Sequence, residues 1–197
     1  MSEPARWWWI RHAPSEGDQG IIHGQDDVAA NLSDKAALAA VRDRLPEGAH
    51  LFSSNIRRCI ETAEALTGRA PEQIPDFAEQ SFGDWNGGKW QELPREEMNA
   101  FWTNYAEQKA PGGESFRELT ERVHPKILEM SAAYRDQELV VVAHAGTIRA
   151  ALALALESPL NAALNMSLSN LSLTRIDAFP DESPYAWRVG FANLPAT

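Results

Sequence analysis

The chain has 197 residues, 44% of them hydrophobic and 23% charged, with a formal net charge of -10 at pH 7. That describes one globular domain able to bury a core unaided, and with a single cysteine, Cys59, an internal disulfide is excluded. The acidic balance argues against a nucleic-acid partner and against anionic membranes, and the apolar runs are too short for a secretory signal or a membrane span, so a soluble, cytoplasmic protein is expected.

Trp7 to Ile10 is a continuous apolar run followed by turn formers, the pattern of a strand covered on both faces, and Arg11 and His12 stand at its carboxyl end. Ligands gather at that edge of an open parallel sheet. Taken alone, however, the pair reads first as a solvated strand end with a hydrogen-bonded imidazole. Pro14 to Asn31 is a long loop, a length that is usually functional or mobile. Ser33 is expected to cap a helix carrying Leu38, Val41 and Leu45 and ended by Pro46 and Gly48. Leu51 and Phe52 form a second strand. Ser54 is placed to cap the next helix, in which Ile56, Cys59, Ile60, Ala63 and Leu66 recur at helical spacing. Arg57 and Arg58, in its first turn, oppose the macrodipole, a conflict that a bound anion would remove. Arginines thus cluster at 11, 57 and 58, with Arg149 apart from them, so a positive cleft on an acidic body is possible.

Gly68 and Pro71 close that helix, and Ile74 to Ala78 reads as a short edge strand. Glu79 to Trp90 is a glycine- and aromatic-rich loop. Its Gly83 to Lys89 matches the first seven positions of a Walker A loop, but Trp90 takes the required Ser/Thr place and no buried strand leads in, so that reading is rejected. Pro94 opens a helix to about Glu107 with Met98, Phe101, Trp102 and Tyr105, broken by Pro111 to Gly113. Another starts near Ser115 with Phe116, Leu119, Val123, Ile127 and Met130 on one stripe, and Pro125 predicts a kink or a split. Glu138 to Ala143 is the most buried strand and ends, like the first, in a histidine, His144. A helix from Thr147 to Leu156 and strands at Ser167 to Ile176 and Ala186 to Phe191 complete the chain. Alternating strands and helices predict an α/β fold with a mainly parallel sheet covered on both faces.

Strand ends therefore deliver Arg11 and His12, Ser54 with Arg58, and His144, while a loop contributes Glu79. Arginine forks match the oxygens of a phosphate, a neutral imidazole is a competent nucleophile, and a carboxylic acid can protonate a departing alkoxide. Such a set handles phosphomonoesters with no metal and no cofactor, because the arginines supply the positive charge.

These residues resemble the histidine phosphatase superfamily, the group that includes cofactor-dependent phosphoglycerate mutases. Its Arg-His-Gly signature appears as Arg11-His12-Ala13, and its Ser-x-Leu-x-Arg-Ala-x-x-Thr-Ala signature as Ser54 to Ala63, which selects Arg58 over Arg57. A Glu-x-x-x-Gly-x-Trp-Glu-Gly element runs from Glu79 to Gly87 with Asn86 in place of glutamate. Gly113-Glu114-Ser115 and His144-Ala145-Gly146-Thr147-Ile148-Arg149 follow in family order. Ala13 and Ala145 replace glycines, and Asp18 lies near where many relatives place a phosphate-holding asparagine.

The resemblance implies a single domain over 1–197, a three-layer α/β/α sandwich of the phosphoglycerate mutase type with a helical lid-like insertion at about 84–114. It also implies a phosphohistidine on His12. Arg11, Arg58 and His144 would hold the transferring oxygens, with Ser15 and Ala145 also lining the substrate. Glu79 would be the acid, in a partly desolvated setting, and Asp84 the runner-up. The segments Phe82 to Gly87, Trp90, Leu93-Pro94-Arg95 and Pro111 to Ser115 look like the bacterial α-ribazole phosphatases. A mutase and a silent phospho-ligand binding module remain as alternatives, and oligomeric state stays open. Aromatics at 85, 90, 101, 102 and 105 are candidates to stack on a flat leaving group, although the helical spacing of the last three points first to core packing.

Overall fold

The computed structural model of the chain describes residues 3–17, 20–180 and 186–196. Its first strand, β1 (Ala5–Arg11), decides how the sheet is faced. Side chains alternate along a strand, so Trp7 and Trp9 enter one core cluster and Ile10 the other. Trp7 and Trp9 stack with ring centroids 5.1 Å apart, and Trp7 Nε1–H donates to Ser131 Oγ at 3.0 Å. Trp8, on the opposite face, packs edge-on against Phe191 and donates to Glu138.

Five more strands follow: β2 (His50–Ser53), β3 (Glu72–Gln73), β4 (Glu138–Ala143), β5 (Leu173–Phe179) and β6 (Ala186–Leu194). They form one sheet in the order β3-β2-β4-β1-β5-β6. The pairs among β1 to β4 are parallel, while β5 runs antiparallel to β1 and to β6. Helices α1 (Lys35–Arg42) and α2 (Arg57–Thr67) bury Leu38, Val41, Cys59, Ala63 and Leu66 with Ile10, Val140 and Val142 on one face. A short helix α3 (Arg95–Thr103) precedes α4 (Phe116–Ala133) and α5 (Ala145–Ala155). The last two bury Leu119, Val123, Ile127, Ile148 and Leu152 with Trp7, Trp9, Leu139 and Val141 on the other face. The result is the expected three-layer α/β/α sandwich.

Local chemistry moved several boundaries. Asp34, not Ser33, caps α1, its Oδ1 accepting from Ala37 N–H at 2.9 Å, and the helix stops at Arg42, well before Pro46. Ile74 to Ala78 is not a strand: the edge pairing is made by Glu72 and Gln73, and Pro75, lacking an N–H, opens a 3₁₀ turn over Pro75–Phe77 that drives Phe77 into the core. The helix expected to reach Glu107 ends at Thr103. Pro125 does not split α4, which runs unbroken because Leu119, Val123, Ile127 and Met130 anchor it on both sides of the proline and His124 Nε2–H donates to Ala150 O of α5. The helix expected from Thr147 starts at Ala145. The strand expected from Ser167 starts only at Leu173, since a 3₁₀ turn at Leu160–Asn165 and a left-handed Leu171 precede it.

Candidate active site

Register brings the two histidines together. In the parallel pair β1 and β4, Arg11 lies opposite Ala143, so His12 and His144, each one residue further on, leave the sheet side by side. Their ring centroids are 5.1 Å apart. The end of β2 joins them through Ser54 N–H, which donates to Val142 O at 3.0 Å. Thr62 of α2 anchors the turn after β1, accepting from Ala13 N–H at 3.1 Å while donating to Arg58 O. That gives the signature threonine a physical purpose.

Arg58, only 2% exposed, reaches between the two rings. Its Nε–H donates to His12 Nε2 at 3.2 Å and its Nη2 to His144 Nδ1 at 3.0 Å. The carbonyls of Gly24 and Asp26 take further guanidinium hydrogens at 2.7 and 3.0 Å. Arginine only donates, so these bonds assign the tautomers. His12 carries its proton on Nδ1, donating to Ala13 O at 2.6 Å, and presents the Nε2 lone pair. His144 carries its proton on Nε2, donating to Ser54 Oγ at 2.8 Å. Burial, followed by the Arg58 charge, holds both imidazoles well below the usual 6.5, so both are neutral at pH 7. Ser54 is therefore not the cap of α2: Ile56 occupies that place, and Ser54 Oγ receives Ile56 N–H and the His144 ring instead. Cys59 Sγ lies 3.3 Å from His144 Nε2, and burial pushes its thiol up, leaving it a neutral packing group.

Glu79 is half-buried across the cavity. Its Oε1 accepts from Gly146 N–H and from Gln80 N–H, both at 3.0 Å, so the carboxyl sits on the first turn of α5. A Cβ on Gly146 would stand 2.3 Å from Oε1, which explains why that position carries glycine. Arg11 donates to Leu168 O through Nη1, while its buried Nε–H finds no partner among the described residues. An unpaired buried donor is costly, and an anion would satisfy it.

A cavity of about 370 Å³ opens onto these groups. Of the residues singled out from sequence, Arg11, His12, Ser15, Arg58 and Glu79 line it. His144 is fully buried behind Arg58, and Ala145 leaves the wall to its neighbour Gly146. Asp84 is exposed and off the wall, which removes it as runner-up acid. Arg57 pairs with Glu61 on the surface, whereas Arg149, set apart in the sequence, lines the cavity and is anchored by Nε–H to Met166 O. Asp18 lies outside the described residues. Neither Ala13 nor Ala145 is among the positive-φ residues, and the Ala13 methyl packs in the core, so replacing glycine strains nothing there. Sequence reasoning missed His23 and Ile21 on the wall; the only signal for them was membership of the long loop. Of the aromatics, Trp90, Trp102 and Tyr105, joined by Phe82, face the cavity, while Trp85 and Phe101 pack behind them.

Fold and site together define an α/β protein that sets a neutral imidazole beside guanidinium groups on the wall of a cavity at the carboxyl edge of its sheet. Residues 7–188 match the family model for the histidine phosphatase superfamily, branch 1, and the chain belongs to that superfamily. Relatives include a metal-independent phosphoserine phosphatase of Arabidopsis thaliana, 28% identical, the match covering 72% of this chain and 64% of that protein. They also include the adenosylcobalamin/alpha-ribazole phosphatase of Salmonella typhimurium, 27% identical over 78% of this chain and 81% of that one. Among solved structures, a mycobacterial glucosyl-3-phosphoglycerate phosphatase with VO3 superposes with a TM-score of 0.82 at 26% identity, covering 96% of this chain and 99% of that chain. The chain spans just under two thirds, 66% and 64%, of the length of two relatives from Arabidopsis thaliana, a phosphoglycerate mutase-like protein and the phosphoserine phosphatase. No described helix is long and apolar enough to cross a membrane.

Proposed function

We propose that the protein hydrolyses a small phosphomonoester through a phosphohistidine on His12, with no metal taking part. The observation that carries this is the state of His12: neutral, its Nδ1–H tied to Ala13 O, and its Nε2 lone pair held against the Arg58 fork on the cavity wall. An arriving phosphate takes the Arg58 hydrogens that now occupy the histidine lone pairs, and the unpartnered Arg11 Nε–H adds another donor. His12 Nε2 then attacks phosphorus as the P–O bond to the alcohol breaks, and Glu79 gives that oxygen a proton. In the second step water attacks the phosphohistidine, its proton returns to Glu79, the P–N bond breaks and inorganic phosphate leaves. The transition state is loose, so positioning and positive charge supply most of the acceleration.

The leaving group points toward Phe82, Trp90, Trp102 and Tyr105, of which Trp102 is 42% exposed. Trp90 and Trp102 belong to the 84–114 segment, which we read as a lid over that lobe. A flat nucleoside such as that of α-ribazole 5'-phosphate suits such a wall by stacking. The experiment is a phosphomonoester panel with chelator present, including α-ribazole 5'-phosphate, phosphoserine and 3-phosphoglycerate, run on the wild type and His12→Ala. Expected are chelator-insensitive release of inorganic phosphate, an inactive variant, and an acid-labile, base-stable phosphoenzyme on rapid quench. Activity lost to chelator or kept by His12→Ala overturns the reading. Transfer between hydroxyls of phosphoglycerate instead of release would make the protein a mutase, and binding without turnover a silent module.

A further inference from the structure

We infer that Glu114, Arg122 and Gln25 are positioning residues for acid catalysis: a polar clamp that sets where the Glu79 carboxyl meets the leaving oxygen without itself lining the cavity. The inference rests on the reading of Glu79 as proton donor. The Glu79 carboxylate is held by two backbone N–H groups, so its place depends on the path of the main chain around it. Residues 78–82 belong to no strand or helix and receive no ladder bonds. Side chains supply what secondary structure does not.

Arg122 of α4 donates through Nη1 to Asp76 O and Ala78 O at 2.6 and 2.9 Å, and through Nη2 to Glu79 O at 2.9 Å. Glu114 fixes the guanidinium from the other side, at 2.7 Å, and its Oε1 also accepts Ser81 N–H at 2.9 Å. Gln80, 1% exposed, returns the tie by donating to Glu114 O and accepting from the Tyr105 hydroxyl. Gln25 closes the ring from the loop after β1, with Nε2 donating to Glu79 O at 2.9 Å. Its neighbours Gly24 and Asp26 are the residues whose carbonyls hold Arg58. One strap therefore spaces the phosphate-holding guanidinium from the acid. The Arg122–Glu114 pair is only 24% and 18% exposed, so removing one partner leaves the other poorly compensated and free to drag the segment.

Dependence on the leaving group tests this, because an activated aryl ester such as 4-nitrophenyl phosphate departs with little help from a proton while an alkyl phosphate cannot. Glu79→Gln is the reference and should lose ~10² to 10⁴ in kcat/KM, which reports the phosphorylation step and not the shared hydrolysis of the phosphohistidine, on the alkyl ester and far less on the aryl one. Glu114→Gln and Gln25→Ala should show the same selectivity at smaller size, about 10-fold to 10²-fold in kcat/KM on the alkyl ester. A merely structural role would lower both esters alike, and this result, or no effect in either variant, overturns the clamp. If Glu79→Gln itself lacks selectivity, the acid assignment falls instead. Should Glu114→Gln fail to fold, Gln25→Ala decides, since Gln25 is exposed and buries nothing.

Discussion

Gly146→Ala puts the site under the most direct strain. The new Cβ would stand 2.3 Å from Glu79 Oε1, 3.4 Å from its Cδ and 3.3 Å from Leu119 Cδ1. Restoring an ordinary contact of roughly 3.5 Å pushes the carboxyl oxygen back by about 1 Å and breaks its bond from Gly146 N–H. A misplacement of that size costs up to ~10² in rate, or about 2.7 kcal/mol of barrier. The backbone does not object: Gly146 is not among the positive-φ glycines, and alanine is the better helix former by about 1 kcal/mol. Activity should therefore fall while the melting temperature moves by only a few degrees. The assay is kcat/KM on an alkyl phosphomonoester beside a thermal melt. Undiminished turnover would show that Glu79 has no role fixed by this contact, and a collapse of the melting temperature would mean that packing, not the acid, set the glycine.

Arg58→Lys keeps the charge but loses the fork that joins both histidines, so kcat/KM should fall by ~10² to 10³; steady-state kinetics showing a near-normal value would refute the assignment. Because burial and Arg58 hold the His12 and His144 folded-state values well below 6.5, the unfolded chain binds more protons as the pH falls below about 6.5. Their contribution to stability is thus complete above that pH and is lost between it and the lower folded values. Denaturant midpoints measured from pH 8 to 5 should fall over that window, and less so in His12→Asn; a slope of the opposite sign would contradict the neutral assignment. Trp7→Ala removes a fully buried ring that stacks on Trp9 and donates to Ser131, and should cost about 3–5 kcal/mol in chemical denaturation.

How much of the site was legible depended on how local its causes are. The apolar run of β1 and the buried β4 announce themselves, and each ends in its histidine, because alternation, burial and the carboxyl edge are properties of consecutive residues. The resemblance in motif order then singled out Arg58 and Glu79, which periodicity could not. The cap of α1 lies one residue beyond the expected Ser33 because Ser33 and Asp34 are neighbours of similar capping strength, and only the hydrogen bond to Ala37 N–H separates them.

By itself, the sequence determined the layers, the parallel core of the sheet and the delivery of an arginine and two histidines to one edge. Tertiary structure alone decided that Arg149 joins the cavity while Arg57 leaves it, that Asp84 faces solvent, that Ser54 serves the His144 ring, and that β5 turns antiparallel. The physical reason is common to all of these. Each depends on which distant carbonyl, carboxylate or ring lies within about 3 Å of a side chain once the layers have closed, and no local pattern of residues records such a meeting.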